Sequence, residues 1–193
     1  HKVRFSLWPN DLQSVVQVSD SVYDLKLKTV RLWDEFSPNL YHLSATTQRE
    51  TVTTTFGMRE ISVDGRQIIL NGHPIFLRGT VENCNFPLTG YPPTDVDSWL
   101  AIFRKCKAYG LNHMRFHSYC PPEAAFVAAD SVGFYLQPEG PSWPNHGVKL
   151  GRGMVIDDYL MKETQRMVRQ YGNHPSFTML CAGNEPAGNW VSW

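Results

Sequence analysis

This 193-residue chain lacks both an excess of charge of either sign and a long apolar run. Lys plus Arg and Asp plus Glu both number 18, so no net field draws the chain to nucleic-acid phosphates or to an anionic membrane surface. No apolar run approaches the roughly 20 residues of a membrane-spanning helix, and the opening HKVRFSLW lacks the apolar core of a signal peptide. We therefore expect no nucleic-acid partner and no membrane span, and the cellular compartment stays open.

Cysteine and histidine are present, but neither follows a metal-binding pattern. No C-x-x-C pair occurs, and the histidines are not grouped with carboxylates at the spacing of a zinc site. We therefore expect free, largely buried thiols, structural histidines, and neither a metal nor another cofactor. The residues concerned are Cys84, Cys106, Cys120, Cys181, His113, His117, His146 and His174.

Aromatic residues, by contrast, are plentiful. They make up 12% of the chain and include six tryptophans. Several of these stand beside Pro or Gly in predicted loops such as PSWPNHG and GNWVSW. Flat aromatic faces can stack against the apolar faces of sugar rings. Any single Trp also fits a core or interface position, so the pattern alone does not define a binding site.

The strand pattern changes near residue 56. Before it, alternating and β-branched residues separated by Pro, Asn, Asp and Ser predict an all-β region. After FGMREISVDGRQIILNGHPI, short apolar strands alternate with amphipathic helices, which is typical of parallel βα units. We divide the chain into 1–56, an incomplete β-sandwich, and 57–193, an α/β domain. The predicted parallel strands are IFLRG, LNHMRFH, FYLQPE and SFTMLCAGNE.

Three predicted helices connect these strands. The first lies in TDVDSWLAIFRKCKAYG, with Thr94 and Asp97 as a capping box and Gly110 at its end. The second, PPEAAFVAADSVG, has Pro122 in its first turn and stops at Gly133. The third lies in VIDDYLMKETQRMVRQYG. Such βα steps fit half of a (β/α)8 TIM barrel or a doubly wound sheet, and the absence of G-x-G-x-x-G after the first strand favours the barrel.

Polar residues follow each predicted parallel strand. In TIM barrels the reactive groups lie at these carboxyl ends. Amides, carboxylates, an arginine and a histidine can hydrogen-bond many hydroxyl groups, which suits a polyhydroxylated, uncharged ligand. Glu185 directly follows an apolar strand, where a Glu is either a proton donor at the barrel mouth or a surface residue at a strand end. The set comprises Glu82, Asn83, Asn85, Arg115, His117, Ser118, Gln137, Glu139, Asn184 and Glu185.

Five segments, in order along the chain, resemble the landmarks of glycoside hydrolase family 2, the β-galactosidase and β-glucuronidase type. They are LWDEFSPNLYHLSA, FGMREISVDGRQIILNGHPIFLRG, NHMRF, YGNHPSF and GNEP. The resemblance spans nearly the whole chain, and NHPSF followed by a strand ending in Asn-Glu is its most specific part. It implies the end of an immunoglobulin-like sandwich followed by the first half of a catalytic (β/α)8 barrel.

The resemblance also implies roles for individual residues. Glu185 matches the general acid/base, Asn184 the amide that contacts the hydroxyl beside the anomeric carbon, and Arg115 the strand-end arginine that supports the site. Two positions depart from the family pattern, because RGTVENCN places an Asn where many relatives carry a His, and RFHSYCPP differs in order or offset from Ser-His-Tyr-Pro. The expected substrate-binding residues are Asn83, Arg115, His117, Glu139 and Asn184.

A retaining glycosidase needs a second carboxylate as nucleophile, which the family carries on a later strand. We expect it beyond Trp193, which would leave the isolated chain inactive, and the open strand edges of a half barrel favour a homo-oligomer. The predicted reaction is hydrolysis of a terminal β-linked galactose, glucuronic acid or mannose. The alternative is a non-catalytic carbohydrate-binding or scaffold protein on the same fold. A cellulase-like or mannanase-like barrel is disfavoured by the preceding sandwich.

Overall fold

The first part of the chain is an antiparallel β region, as its alternating pattern predicts. The computed structural model describes residues 3–143 and 149–185. One sheet has the order β1-β4-β5, and β2 pairs with β3 in a separate hairpin. The rings of Phe5 and Tyr23, with centroids 4.9 Å apart, connect the two sheets. The strands are β1 (Arg4–Trp8), β2 (Leu12–Gln17), β3 (Tyr23–Leu27), β4 (Tyr41–Thr46) and β5 (Thr51–Phe56).

A small antiparallel meander follows. It consists of β6 (Ile61–Asp64), β7 (Gln67–Leu70) and β8 (His73–Ile75). The β7–β8 turn is Asn-Gly, with φ values of 52° and 78° at Asn71 and Gly72; an Asn-Gly pair with both φ angles positive is the preferred two-residue hairpin turn. The meander carries Leu70, Ile61 and Ile75 into a small apolar cluster around Trp33 and Tyr135.

Strands and helices then alternate, as the sequence predicts. The strands β9 (Gly79–Glu82), β10 (His113–Phe116) and β11 (Tyr135–Gln137) form a parallel sheet in the order β11-β10-β9. The helices are α1 (Val96–Ala108), α2 (Glu123–Val132) and α3 (Val155–Tyr171). Across the described residues, none of these helices combines the length and apolar character needed to cross a membrane.

Two predicted strands differ from the observed ones. The segment predicted as the first parallel strand ends where β9 begins, because Ile75 instead pairs with Ile68 in the meander. The predicted fourth strand, residues 176–185, is not a continuous strand. It meets β11 through two isolated parallel bridges, Leu136 with Phe177 and Glu139 with Cys181. The segment that begins at residue 176 therefore lies beside β11 as a fourth parallel segment, but its pairing is irregular.

The main core lies between the parallel sheet and its helices. Trp99 and Phe103, one turn apart on α1, are fully buried and stacked, with ring centroids 5.6 Å apart. Phe103 in turn stacks on Phe134 at 4.9 Å. On α2 the buried residues are mostly alanines, which allow close approach to α1. Burying side chains such as Trp99 and Phe103 stabilises the sheet by about 2–3 kcal/mol each.

Helix α1 begins one residue later than the sequence analysis predicts. Asp95 is the N-cap, and its carboxylate accepts a hydrogen bond from the Ser98 N–H at 2.8 Å, so the assignment of Thr94 was wrong. The reason is electrostatic, because a carboxylate at the N-terminus also interacts favourably with the helix dipole. The predicted ends are confirmed: Gly110 and Gly133 have φ values of 80° and 69°, a left-handed conformation that glycine adopts without steric cost.

A polar junction at the amino ends of the parallel strands joins this sheet to the preceding chain. The Asn112 amide donates to Glu35 Oε1 at 3.0 Å and accepts from the Arg78 backbone N–H at 2.7 Å. The Arg78 guanidinium lies 3.0 Å from the other oxygen of Glu35. Lys107 Nζ donates to the carbonyl of Glu35 at 2.7 Å and to that of Val132 at 2.6 Å. These bonds fix the strand ends opposite the candidate site.

A second junction holds the segment that leads to Glu185. Asp130 on α2 accepts from the Ser176 N–H at 3.0 Å and lies 2.6 Å from His174 Nδ1. From the other side, the Arg59 guanidinium donates to the carbonyls of Pro175 at 2.6 Å and Phe177 at 2.7 Å. Burial lowers the pKa of Arg59, although the charge of Asp130 opposes that shift. The NHPSF motif is thus clamped between α2 and the start of the meander.

Candidate active site

The predicted polar residues lie at one end of the parallel sheet. Arg115 is in β10, and Gln137 ends β11, where the two residues face each other in register. Glu139 and Cys181 form the next parallel bridge, and Asn184 and Glu185 follow three and four residues later. Because the carboxyl ends of parallel strands meet at one edge of a sheet, these side chains come together.

Glu139 is the centre of a buried polar network. Its side chain is fully buried and accepts hydrogen bonds from Arg115 Nε and, at 2.9 Å, from the Ser118 backbone N–H. The other arm of the guanidinium, Arg115 Nη2, donates to Asn184 Oδ1 at 2.8 Å. The hydrogen bond to Glu139 raises the pKa of Arg115. The Asn184 side chain is therefore held by a guanidinium that is itself bound to Glu139.

Glu185 lies beside this network but faces solvent. Its residue is exposed, and its Oε2 accepts a hydrogen bond from the Trp143 indole N–H at 3.0 Å. The ring of Trp143 meets that of His117 edge to face, with centroids 4.7 Å apart. His117 Nδ1 lies 3.1 Å from Ser118 Oγ. The accessible Glu185 carboxylate therefore has the aromatic rings of Trp143 and His117 on one side.

The backbone at this end adopts unusual conformations. Cys84, Ser118 and Glu185 have φ values of 56°, 61° and 42°, and they follow the first, second and fourth parallel segments respectively. A non-glycine residue with positive φ is strained, and such residues concentrate at functional sites. At Ser118 the conformation lets the N–H reach the buried Glu139 carboxylate. These three residues lie at the sheet end that carries the candidate site.

Two glycines let the last two segments approach closely. A Cβ on Gly140 would lie 2.4 Å from the Ala182 carbonyl oxygen, and one on Gly183 would lie 2.7 Å from the Ser142 carbonyl oxygen. The same carbonyl of Ser142 accepts from the Asn184 N–H at 2.8 Å. A Cβ at either position would clash with a backbone carbonyl of the facing segment, so glycine permits this close approach.

The end of the first parallel strand contributes a separate group. Glu82 Oε1 accepts from the Asn85 N–H at 3.3 Å, and Glu82 Oε2 is buried without a hydrogen-bond partner among the described residues. Burial raises the pKa of Glu82, although neighbouring backbone N–H groups oppose that shift. Asn83 is exposed on the following turn. Among the described residues, no side-chain hydrogen bond joins Glu82 or Asn83 to the Arg115 network, although the His117 backbone N–H donates to the Glu82 carbonyl at 2.8 Å.

The prediction of largely buried thiols is wrong for Cys84. Cys84 is exposed, and the other three thiols are partly buried. Within residues 3–143 and 149–185, no group of three or more His, Cys, Asp or Glu side chains is placed to hold a metal ion. His146 lies outside the described residues.

Sequence reasoning missed the residues of the two junctions and Trp143 as a partner of Glu185. Glu35, Arg59 and Asn112 bond to residues between 34 and 118 positions away, so no local period identifies them. Their one sequence signal is their place inside or beside the quoted motifs, LWDEFSPNLYHLSA, FGMRE and NHMRF.

Comparison with known proteins relates the chain to one family. Residues 5–59 match the family described as Glycosyl hydrolases family 2. A curated β-galactosidase of Staphylococcus xylosus is 28% identical over 151 residues, which are 76% of this chain and 15% of that protein. The chain therefore spans about 15% of the length of this relative.

Solved structures share the fold. The structure of Parabacteroides merdae β-glucuronidase matches with a TM-score of 0.69 and 26% sequence identity, over 89% of this chain and 22% of that one. Bacteroides uniformis β-glucuronidase 3 matches with a TM-score of 0.76 and 22% identity, over 99% of this chain and 25% of that one. The likeness thus covers both the antiparallel region and the parallel sheet.

Proposed function

We propose that the protein hydrolyses a terminal β-linked sugar with retention of configuration, in keeping with the similarity of this chain to glycosyl hydrolases of family 2. In this proposal 1–56 is part of an immunoglobulin-like sandwich, and 57–193 is the first half of a (β/α)8 catalytic barrel. Two observations support the barrel. Three consecutive parallel strands lie side by side in chain order with helices between them, and polar groups lie at their carboxyl ends.

One observation carries the proposal: Glu185 is an accessible carboxylate at the carboxyl end of the parallel segments, beside a fixed amide and a fixed arginine. General acid/base chemistry needs a titratable group that reaches the reacting atoms while its surroundings stay rigid. Glu185 would give its proton to the departing glycosidic oxygen and then take a proton from the incoming water.

Asn184 and Arg115 would orient the sugar. Asn184 Oδ1 already accepts from Arg115, so in this proposal the Asn184 NH₂ group donates to a hydroxyl beside the anomeric carbon. Glu139 has no accessible surface, and we assign it to holding Arg115 rather than to direct substrate contact. His117 and Asn83 are partly or fully accessible and stay candidates for hydroxyl contacts at the rim.

The nucleophile would come from a later strand of the barrel. In a retaining enzyme the two carboxyl groups lie about 5–5.5 Å apart. Glu139 is unsuited to attack, because both its oxygens are engaged in hydrogen bonds within the buried network. Glu82 belongs to a separate group at the end of the first strand. Neither of these two carboxylates is therefore the proposed nucleophile.

The proposal is tested by hydrolysis of a panel of nitrophenyl α- and β-glycosides with the full-length protein, including β-galactoside, β-glucuronide and β-mannoside. We expect release from one β-glycoside, and for the phenyl glycoside of the same sugar, which has a poor leaving group, a loss of about 100-fold or more in kcat/KM in Glu185→Gln. Glu50→Gln, in the exposed turn between β4 and β5, serves as the matched control and should keep full activity.

Azide distinguishes the two carboxylate roles. In Glu185→Ala, azide should attack the glycosyl-enzyme and give a β-glycosyl azide, because a lost acid/base no longer activates water and leaves room for the anion. Full activity of Glu185→Gln would refute the assignment. Silence across the whole panel, together with saturable binding of an oligosaccharide, would instead establish the carbohydrate-binding alternative.

A further inference from the structure

We propose that Trp143 is the positioning residue for Glu185: its indole N–H holds the carboxylate in the orientation that delivers a proton to the leaving oxygen. This role rests on the proposed hydrolase function. It concerns a residue that the sequence motifs do not identify, since Trp143 lies in the loop after β11 and outside every quoted family segment.

Glu185 has little else to hold it. Glu185 is exposed and directly follows the buried Asn184. Its own backbone is left-handed, with a φ of 42°. Within the described part of the chain, Trp143 is the one side chain that donates a hydrogen bond to Glu185, at 3.0 Å. An exposed Glu otherwise samples many rotamers, and a general acid that samples many rotamers is rarely aligned with its oxygen.

Trp143 is itself held in register with Glu185. The Asn184 N–H donates to the Ser142 carbonyl at 2.8 Å. Trp143 follows Ser142 and Glu185 follows Asn184, so this hydrogen bond places Trp143 and Glu185 next to each other. The edge-to-face contact with His117, at 4.7 Å between centroids, fixes the indole plane. Gly183 permits this approach, because a Cβ there would lie 2.7 Å from the Ser142 oxygen.

The chemistry of the donor decides which oxygen works. An indole N–H donates and never accepts, so Glu185 Oε2 must stay an acceptor in both protonation states. The transferable proton therefore resides on Oε1, which is the oxygen free to face the substrate. The other charged or titratable groups at this sheet end are Arg115, paired with Glu139, and His117, Cys181, Glu82 and Cys84. None of them forms a hydrogen bond with the Glu185 side chain among the described residues.

The test uses Trp143→Phe in the full-length protein, which keeps a ring but removes the N–H. The substrates are aryl β-glycosides of the preferred sugar, from a dinitrophenol to unsubstituted phenol as leaving group. A dinitrophenolate leaves without protonation, so its kcat/KM should change less than about twofold, whereas phenyl glycoside should lose about tenfold because the acid is misaligned. Trp8→Phe, a more exposed tryptophan on β1, is the control and should leave both rates unchanged.

The outcomes separate cleanly. A loss that grows as the leaving group worsens supports the positioning role. An equal loss for all leaving groups, or no loss, overturns it while the hydrolase function stands. Absence of turnover by the unsubstituted protein across the panel removes the hydrolase function and this role with it. Independently of activity, the indole ¹⁵N–¹H resonance of Trp143 should move in Glu185→Ala, and an unmoved resonance would refute the contact itself.

Discussion

The buried charge of Glu139 provides the sharpest stability prediction. Its carboxylate serves two donors, Arg115 Nε and the Ser118 N–H, and has no accessible surface. Glu139→Gln keeps one acceptor oxygen but places an NH₂ group against a donor, so one charge-assisted bond is lost and one N–H faces another. Arg115 keeps 32% of its side-chain surface accessible, which moderates the cost below that of a fully buried broken pair. We expect a loss of about 2–3 kcal/mol in the free energy of unfolding.

The assay is equilibrium urea unfolding of the 193-residue chain followed by circular dichroism. Glu163→Gln is the matched control, because Glu163 pairs with Arg166 at 3.0 Å on the surface of α3, where the arginine side chain is 70% exposed. That control should change the free energy by less than about 0.5 kcal/mol. Equal losses in the two variants would refute the reasoning that burial and the second donor distinguish Glu139.

Two further predictions concern the amino-end junction and the thiols. Lys107→Met should lower the free energy of unfolding by about 1–3 kcal/mol, because it leaves the carbonyls that accept from Lys107 Nζ without their donor; the same assay checks it, and Lys105→Met, on the exposed side of α1, should be nearly neutral. Burial raises the pKa of Cys120 to about 12, so at pH 8 iodoacetamide should modify it at least about tenfold more slowly than the exposed Cys84. The rate at Cys120 should keep rising as the pH approaches 12, and peptide mass spectrometry that finds the two thiols equally reactive at pH 8 would contradict this.

Local patterns predicted the elements well because local physics forms them. The period of apolar residues and the glycine stops give α1 and α2 within a residue or two, since a left-handed C-terminal residue is a local requirement. Where two local signals competed, the structure decided. Thr94 and Asp95 both suit an N-cap, and in the structure Asp95 caps α1. Ile75 suits either a parallel or an antiparallel strand, and in the structure it pairs with Ile68 in the antiparallel meander.

The candidate site was only partly predictable. Strand-end position correctly grouped Arg115, Glu139 and Asn184, which the structure joins by hydrogen bonds. Position alone does not reveal that Glu139 is buried while Glu185 is exposed. The Ser118 N–H, which reaches Glu139 from a left-handed backbone, and the close approach of Ala182 to Gly140 are contacts from neighbouring segments that strand-end position does not reveal. Contacts between residues 20 to 70 positions apart are therefore what the sequence pattern could not supply.

The Arg59 clamp has a consequence for the order of biosynthesis. The carbonyl of Pro175 that accepts from its guanidinium lies 116 positions further along the chain. A ribosome adding about 5–20 residues per second therefore takes roughly 6 to 23 seconds to make the acceptor after Arg59 has been made. During that interval the Arg59 guanidinium lacks the two carbonyls that it binds in the folded chain, and the segment that the meander contacts has not yet been made. Folding of this junction is thus governed by a non-local contact, of the kind that slows folding and exposes the nascent chain to misassociation.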